Sequence, residues 1–227
     1  SAASDVYKRQ VAYGDTIDGD LSRRDFTVNA MAVRLPSLEF IDPFGGLEDL
    51  AAGLLRTPVT PEQSFSDDPL RMMRAVRFAS TLGFDIEEGT AHAIAALAER
   101  LEIVSAERVR EELVKLMLGD HPRSALERMV DLGLADIILP ELPAMRLEID
   151  EHHRHKDVYT HSLTVLEQAI DLETGPDGPV PGPDFILRFA ALMHDCAKPN
   201  TRRFEEGGVV TFRLHEVVGA RMAKARM

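Results

Sequence analysis

Arg71, Arg74 and Arg77 recur every third residue behind Asp67-Asp68-Pro69, a spacing that sets their guanidinium groups along one side of a helix. Three like charges on one side repel, and a helix dipole disfavours cations in its first turn, so the row calls for an anion opposite it. A guanidinium stays charged at any working pH, and its planar fork matches phosphate oxygens. The row therefore favours a polyphosphate or a nucleic-acid backbone over solvated Arg stems.

Six of the eight His residues lie from His152 onward. His161 falls in an amphipathic stretch that fixes its direction, and His194-Asp195 closes an almost wholly apolar one, where both polar groups need partners. Two imidazoles and a carboxylate have the chemistry to hold a divalent ion, and a satisfied His–Asp hydrogen-bonded pair accounts for the spacing equally well. His152, His153 and His155 sit in a polar segment and read as solvated. Asp18-Gly19-Asp20 imitates a metal-binding carboxylate pair, but the Gly between the acids favours an acidic turn.

The Arg row needs a helix that opens at Asp68-Pro69, where Asp accepts orphan N–H bonds and Pro has no N–H to leave unpaired. Leu70, Met73 and Val76 give that helix an apolar side. Upstream, Arg23-Arg24-Asp25 runs straight into apolar sequence, a costly arrangement unless the charges pair with each other or with a ligand. Val33 to Leu35 and Leu38 to Ile41 read as strands joined at Pro36-Ser37, followed by a sharp Gly45-Gly46 turn and Asp49, which can cap or orient the next segment.

Downstream, helices are expected over Glu87 to Leu101, from an N-cap at Ser105 through Val109, Leu113, Leu116 and Met117, and from Pro122 to Leu132 with Gly133 as the stop. These carry no chemistry and read as scaffold. Val158 to Leu172 reads as the helix that directs His161. Glu173 to Asp184, with four Pro and three Gly, is expected to be a mobile surface loop, and Phe185 to Ala197 a buried helix terminated by Lys198-Pro199.

At 227 residues, with 44% hydrophobic and 28% charged residues, the chain has the balance of a globular protein of one large or two ordinary domains. It has no apolar run of membrane-spanning length, and its single Cys196 cannot form an internal disulfide, which together suggest a cytoplasmic protein. A formal net charge of −12 argues against a general nucleic-acid binder and leaves room for a focused basic site.

Three blocks, RRDFTVNAMA, DPFGGLEDL and DDPLRMMRAVRF, resemble in their order those of the bacterial class II tRNA nucleotidyltransferases, the CCA-adding enzymes and related poly(A) polymerases. HSLTVL, ALMHDCAKP and LHEVVGA resemble the HD-type metal-dependent phosphohydrolase domain that many of these enzymes carry. The resemblance implies template-independent addition of CMP and AMP to tRNA 3′ ends, with Mg²⁺, with ATP and CTP as substrates and with tRNA as the partner. It implies that Arg24 and Asp25 contact the triphosphate and ribose, that Asp68 and Arg71 present an edge to the base, and that Arg74 and Arg77 bind phosphates. It also implies a divalent metal on His161, His194 and Asp195, and it makes His152, His153 and His155 solvated or tRNA-facing.

The family's Gly-Gly-x-x-Arg-Asp loop and following Asp-x-Asp pair have no counterpart in that context, since Gly45-Gly46 and Asp18-Gly19-Asp20 stand in the wrong positions. No catalytic residue is therefore assigned, and the chain is expected to be a fragment, cut at both ends and inactive alone. The expected architecture is mainly α with a small α/β N-terminal remnant. It comprises a non-native tail over 1–10, a nucleotidyltransferase head remnant over 11–60, a helical RNA- and nucleotide-binding neck and body over 61–148, and an incomplete all-α HD domain over 149–227. A poly(A) polymerase, an HD phosphohydrolase and a non-catalytic RNA-binding scaffold are the rival readings.

Overall fold

Residues 16–146, 157–206 and 209–226 are described by the computed structural model, so the expectations for 1–10 and for His152, His153 and His155 lie outside the described residues. Helix α1 (Ile17–Leu21) is capped by Thr16, whose Oγ1 accepts the Gly19 N–H at 3.2 Å. Asp18-Gly19-Asp20 is accordingly helical rather than a turn. A 3₁₀ turn over Thr27–Asn29 leads into an antiparallel hairpin of β1 (Ala32–Arg34) and β2 (Glu39–Ile41), with Ala32 opposite Ile41.

Asp42 then accepts the N–H groups of Gly46 and Leu47 at 2.7 and 2.9 Å, opening α2 (Gly46–Ala52). The Leu47 N–H foremost holds the Asp42 carboxyl below the usual carboxylate range. Gly46 is required because a Cβ there would lie 2.2 Å from the Thr27 carbonyl oxygen. From α2, buried Asp49 accepts Thr27 Oγ1 at 2.6 Å and pairs with Arg56, tying the helix to the turn before it.

The short β3 (Leu54–Leu55) and α3 (Pro61–Asp67) lead directly into α4 (Leu70–Leu82), which Gly83 ends in the left-handed conformation at φ +67°. Strand β4 (Asp85–Ile86) pairs in parallel with β3. Helix α5 (Glu88–Leu97) tightens into a 3₁₀ stretch over Ala98–Ile103, so the single helix expected to Leu101 is broken, while Ile94 and Leu101 still face the core. Helices α6 (Ala106–Met117) and α7 (Pro122–Asp131) pack against α4, which buries Met72 and Ala75 besides the expected Leu70, Met73 and Val76. Fully burying a side chain the size of Val, Leu or Met contributes about 1.5–3 kcal/mol.

After Gly133, the short α8 (Leu134–Ile138) and α9 (Glu141–Ala144) complete this part. Helices α10 (Val158–Asp171) and α11 (Phe185–Met193) pack on each other, and residues 173–184 between them form neither helix nor strand. Helix α11 ends at Met193, not Ala197: Nδ1 of His194 takes the Ala191 carbonyl at 2.8 Å, an acceptor that a continuing helix would use. Lys198-Pro199 does not terminate a helix but opens one, α12 (Lys198–Thr201), with Pro in its first turn. The antiparallel β5 (Arg202–Glu205) and β6 (Val209–Phe212) and then α13 (His215–Arg226) follow.

One apolar core runs from Phe26 and Leu55 through α4, α6 and α7 to Leu163, Phe189 and Leu192. No helix among the described residues is long and apolar enough to cross a membrane.

Candidate nucleotide and metal sites

Asp25 is the hub of the first cluster. Arg74 Nη2 lies 2.5 Å from its Oδ2, and Arg71 Nε lies 3.5 Å from its Oδ1, close but without hydrogen-bond geometry. Arg71 is buried and donates through Nη1 to Ser64 Oγ at 2.8 Å and through Nη2 to the Arg23 carbonyl. Arg77 turns onto Glu112 of α6 at 2.5 Å, its guanidinium 4.0 Å from the Phe78 ring centroid. The anions that face the Arg row among the described residues are thus the chain's own Asp25 and Glu112.

Arg24 and Asp25 do not pair with each other, since Arg24 reaches Asp20 at the surface at 3.4 Å while Asp25 faces inward. Asp68 accepts the Leu70 N–H at 3.3 Å and pairs with Arg108 Nη2 at 3.3 Å, whereas Arg71 folds back to Asp25 and Ser64. Arg108 lies in α6, within a stretch that the sequence presents as scaffold. Its signal was an Arg in the first turn of a helix, where the dipole disfavours a cation.

The second cluster is centred on Asp195, which is 3% exposed. His194 Nε2 lies 3.1 Å and His161 Nε2 3.8 Å from its Oδ2, and His215 Nε2 lies 3.3 Å from its Oδ1. The ligand atoms of His161, His194 and Asp195 all fall within 4.8 Å of one another. His194 and His215 are aimed alike, each with Nδ1 on the carbonyl three residues earlier, Ala191 and Phe212, at 2.8 Å, which turns Nε2 toward Asp195.

Burial opposes ionisation of Asp195, but hydrogen bonds from His194 and Lys198 outweigh it and hold the carboxyl well below the usual range. The same bond from His194 to Asp195 raises the imidazole above its ordinary value. Two imidazole nitrogens and a buried carboxylate oxygen suit a divalent transition metal, so these residues fit such an ion. The sequence reading left out His215 and Lys198. The first was visible in LHEVVGA, while Lys198 was read only as a helix stop.

Comparison with known protein families finds three matches along the chain. Residues 1–56 match the model of the "Poly A polymerase head domain", 83–145 that of the "Probable RNA and SrmB- binding site of polymerase A", and 158–227 that of the HD domain. The three matches follow one another along the chain as head domain, RNA-binding segment and HD domain. The chain belongs to the family of the tRNA nucleotidyltransferases and poly(A) polymerases.

It is 36% identical to the A-adding tRNA nucleotidyltransferase of Deinococcus radiodurans over 97% of this chain and 50% of that protein. It is 38% identical to the multifunctional CCA protein of Neisseria gonorrhoeae over 82% of this chain and 43% of that one. The chain thus spans about half the length of the curated relatives it matches. Among solved structures, the Thermotoga maritima CCA-adding enzyme complexed with tRNA superposes with a TM-score of 0.53 at 28% identity, covering 82% of this chain and 50% of the other. The Bacillus stearothermophilus CCA-adding enzyme in complex with CTP gives 0.54 at 25% identity, with 94% and 60% covered.

Proposed function

We propose that the protein to which this chain contributes adds CMP and AMP to tRNA 3′ ends without a nucleic-acid template, with CTP, ATP and tRNA as its substrates. The observation that carries this is the pairing of buried Asp25 with Arg74 beside the Asp68–Arg108 pair, a set of carboxylates and guanidinium forks suited to a nucleotide. In this reading Arg24 and Asp25 meet the triphosphate and ribose, Asp68 and Arg71 the base, and Arg74 and Arg77 the phosphates. Their present partners are the ones a nucleotide has to share or displace. Mg²⁺ would supply charge stabilisation to the triphosphate, and no carboxylate of this chain is assigned to hold it. A cytoplasmic setting and units over 11–60, 61–148 and 149–227 belong to the same proposal.

The test is incubation of the full-length protein with tRNA lacking CCA and with CTP and ATP supplied separately. Sequential incorporation of both is expected. Incorporation of ATP alone onto a CC end would favour A-only addition, a reading prompted by the name of the D. radiodurans relative. Indifference to CTP with long A tails would favour a poly(A) polymerase, and RNA binding without nucleotide consumption would leave only a scaffold.

For the second cluster we propose a divalent metal held by His161, His194 and Asp195 as a phosphohydrolase centre. The ion would supply an activated water there. This chain's own contribution is to aim Nε2 of His194 through its Nδ1–carbonyl bond and to keep Asp195 ionised. Metal-dependent phosphate release that is lost in His194→Ala is the expected result, and release unchanged in that variant would remove the proposal.

A further inference from the structure

The β5–β6 hairpin stands beside the Asp195 cluster and serves neither site described above. Every residue of β5 is exposed, and Phe204 in its middle is 68% exposed. The Arg202 guanidinium lies 5.2 Å from the Phe204 ring centroid, so the two share one face of the strand. Arg202 is paired across the ladder with Phe212, which puts Phe212 on that same face. Lys198 Nζ lies 5.7 Å from the Phe212 ring centroid and 2.6 Å from Asp195 Oδ2.

Going from solvent toward the cluster, the face therefore presents a flat aromatic ring, then a guanidinium, then an ammonium, and finally the carboxylate and imidazoles. Among the described residues Arg202 and Arg203 have no carboxylate partner, whereas Arg213 pairs with Glu205 at 2.8 Å. An exposed ring beside the unneutralised guanidinium of Arg202, in a chain of net charge −12, is complementary to a ligand that is aromatic at one end and anionic at the other. The order of groups along the face is that of a nucleotide, base outward and phosphate inward.

We propose that this face of the hairpin is a nucleotide platform serving the Asp195 cluster, with the base stacked on Phe204 and the phosphate taken by Arg202 and directed toward Lys198. It rests on the reading of that cluster as a phosphohydrolase centre. Stacking on an aromatic side chain tolerates any base, so the platform selects nucleoside phosphates as a class and not one base.

The experiment uses the 227-residue chain in EDTA, so that binding is read without metal, with adenosine monophosphate and inorganic phosphate as probes in ligand-observed NMR titrations. Adenosine monophosphate should bind at least about tenfold more tightly than phosphate and should receive saturation at its base protons. Phe204→Ala should weaken adenosine monophosphate by roughly five- to hundredfold and leave phosphate unchanged, and Arg202→Gln should weaken both probes. Both side chains are exposed, and unchanged thermal unfolding of each variant verifies the fold. Equal affinity for the two probes, or a Phe204→Ala variant that binds like the parent, overturns the platform. A separate Mn²⁺ titration of the same chain, with and without His194→Ala, shows whether the metal reading has failed instead.

Discussion

Nζ of Lys198 lies 2.6 Å from Oδ2 of Asp195, the same oxygen that faces Nε2 of His194 and His161. An ammonium thus occupies the side of the carboxylate that a metal ion would use, and binding of the ion has to displace it. Calorimetric titration with Mn²⁺ should show tighter binding in Lys198→Met and none in Asp195→Asn. Ligating imidazoles must be neutral, so affinity should fall as pH drops through the raised His194 value. Binding that is indifferent to Asp195→Asn would place the ion elsewhere.

Base choice should depend on Asp68 and phosphate affinity on Arg74. Losing a bond to a charged group costs about 1.5–3 kcal/mol, or roughly ten- to a hundredfold in discrimination. In the full-length protein, kcat/KM for CTP, ATP, GTP and UTP should converge in Asp68→Ala and fall alike for all four in Arg74→Ala. Arg108→Ala, which frees Asp68 from its partner, should resemble Asp68→Ala in weaker form. Uniform loss in Asp68→Ala, or selective loss in Arg74→Ala, would reverse the assignment.

Arg188 joins the two halves of the core. From α11 it donates to the carbonyls of Met117 and Gly119, at 2.8 and 3.0 Å, and to both oxygens of Glu173, at 2.9 and 2.6 Å. Arg188→Met strands a buried carboxylate and two carbonyls, which should cost about 3–5 kcal/mol in urea unfolding. Adding Glu173→Gln should cost less than the sum of the single changes, because the two residues form one network. Additive losses would show that the pair is not coupled.

Hydrogen bonds from Arg188 hold Glu173 below its ordinary value of 4.5. A depressed carboxylate stabilises the fold above its unfolded value and loses that contribution as pH falls through the folded one. Melting temperature should therefore be steady from near neutrality to about pH 4.5 and decline below it, a window set by the ordinary value of the unfolded carboxyl. In Glu173→Gln the decline should be shallower, and an identical pH profile would assign the acid sensitivity to other groups.

Apolar spacing and breakers were enough to place α4 behind Asp68-Pro69, α6 behind Ser105, α7 between Pro122 and Gly133, α10, and the hairpin around Pro36-Ser37. In each, the pattern of apolar residues and breakers is local, so it can be read without knowing the partner. Helix α3 and the β5–β6 hairpin escaped because one is seven residues long and the other mostly exposed, and neither leaves a period to detect. The blocks RRD, DDPLR and ALMHD contain residues that the fold brings into the two clusters.

Who meets whom was decided only in three dimensions. An Arg side chain is long enough to serve either face of its helix, so the partners of Arg71, Arg77 and Asp68 depend on what packing brings near, namely Asp25, Glu112 and Arg108. The end of α11 was hidden for the same reason: it is set by a ring nitrogen of His194 taking a backbone carbonyl, a contact that has no periodic trace in the chain. Sequence determines a residue's chemistry and the face of the element that carries it, whereas the pairing of charges between distant elements is a property of the packed core that brings them together.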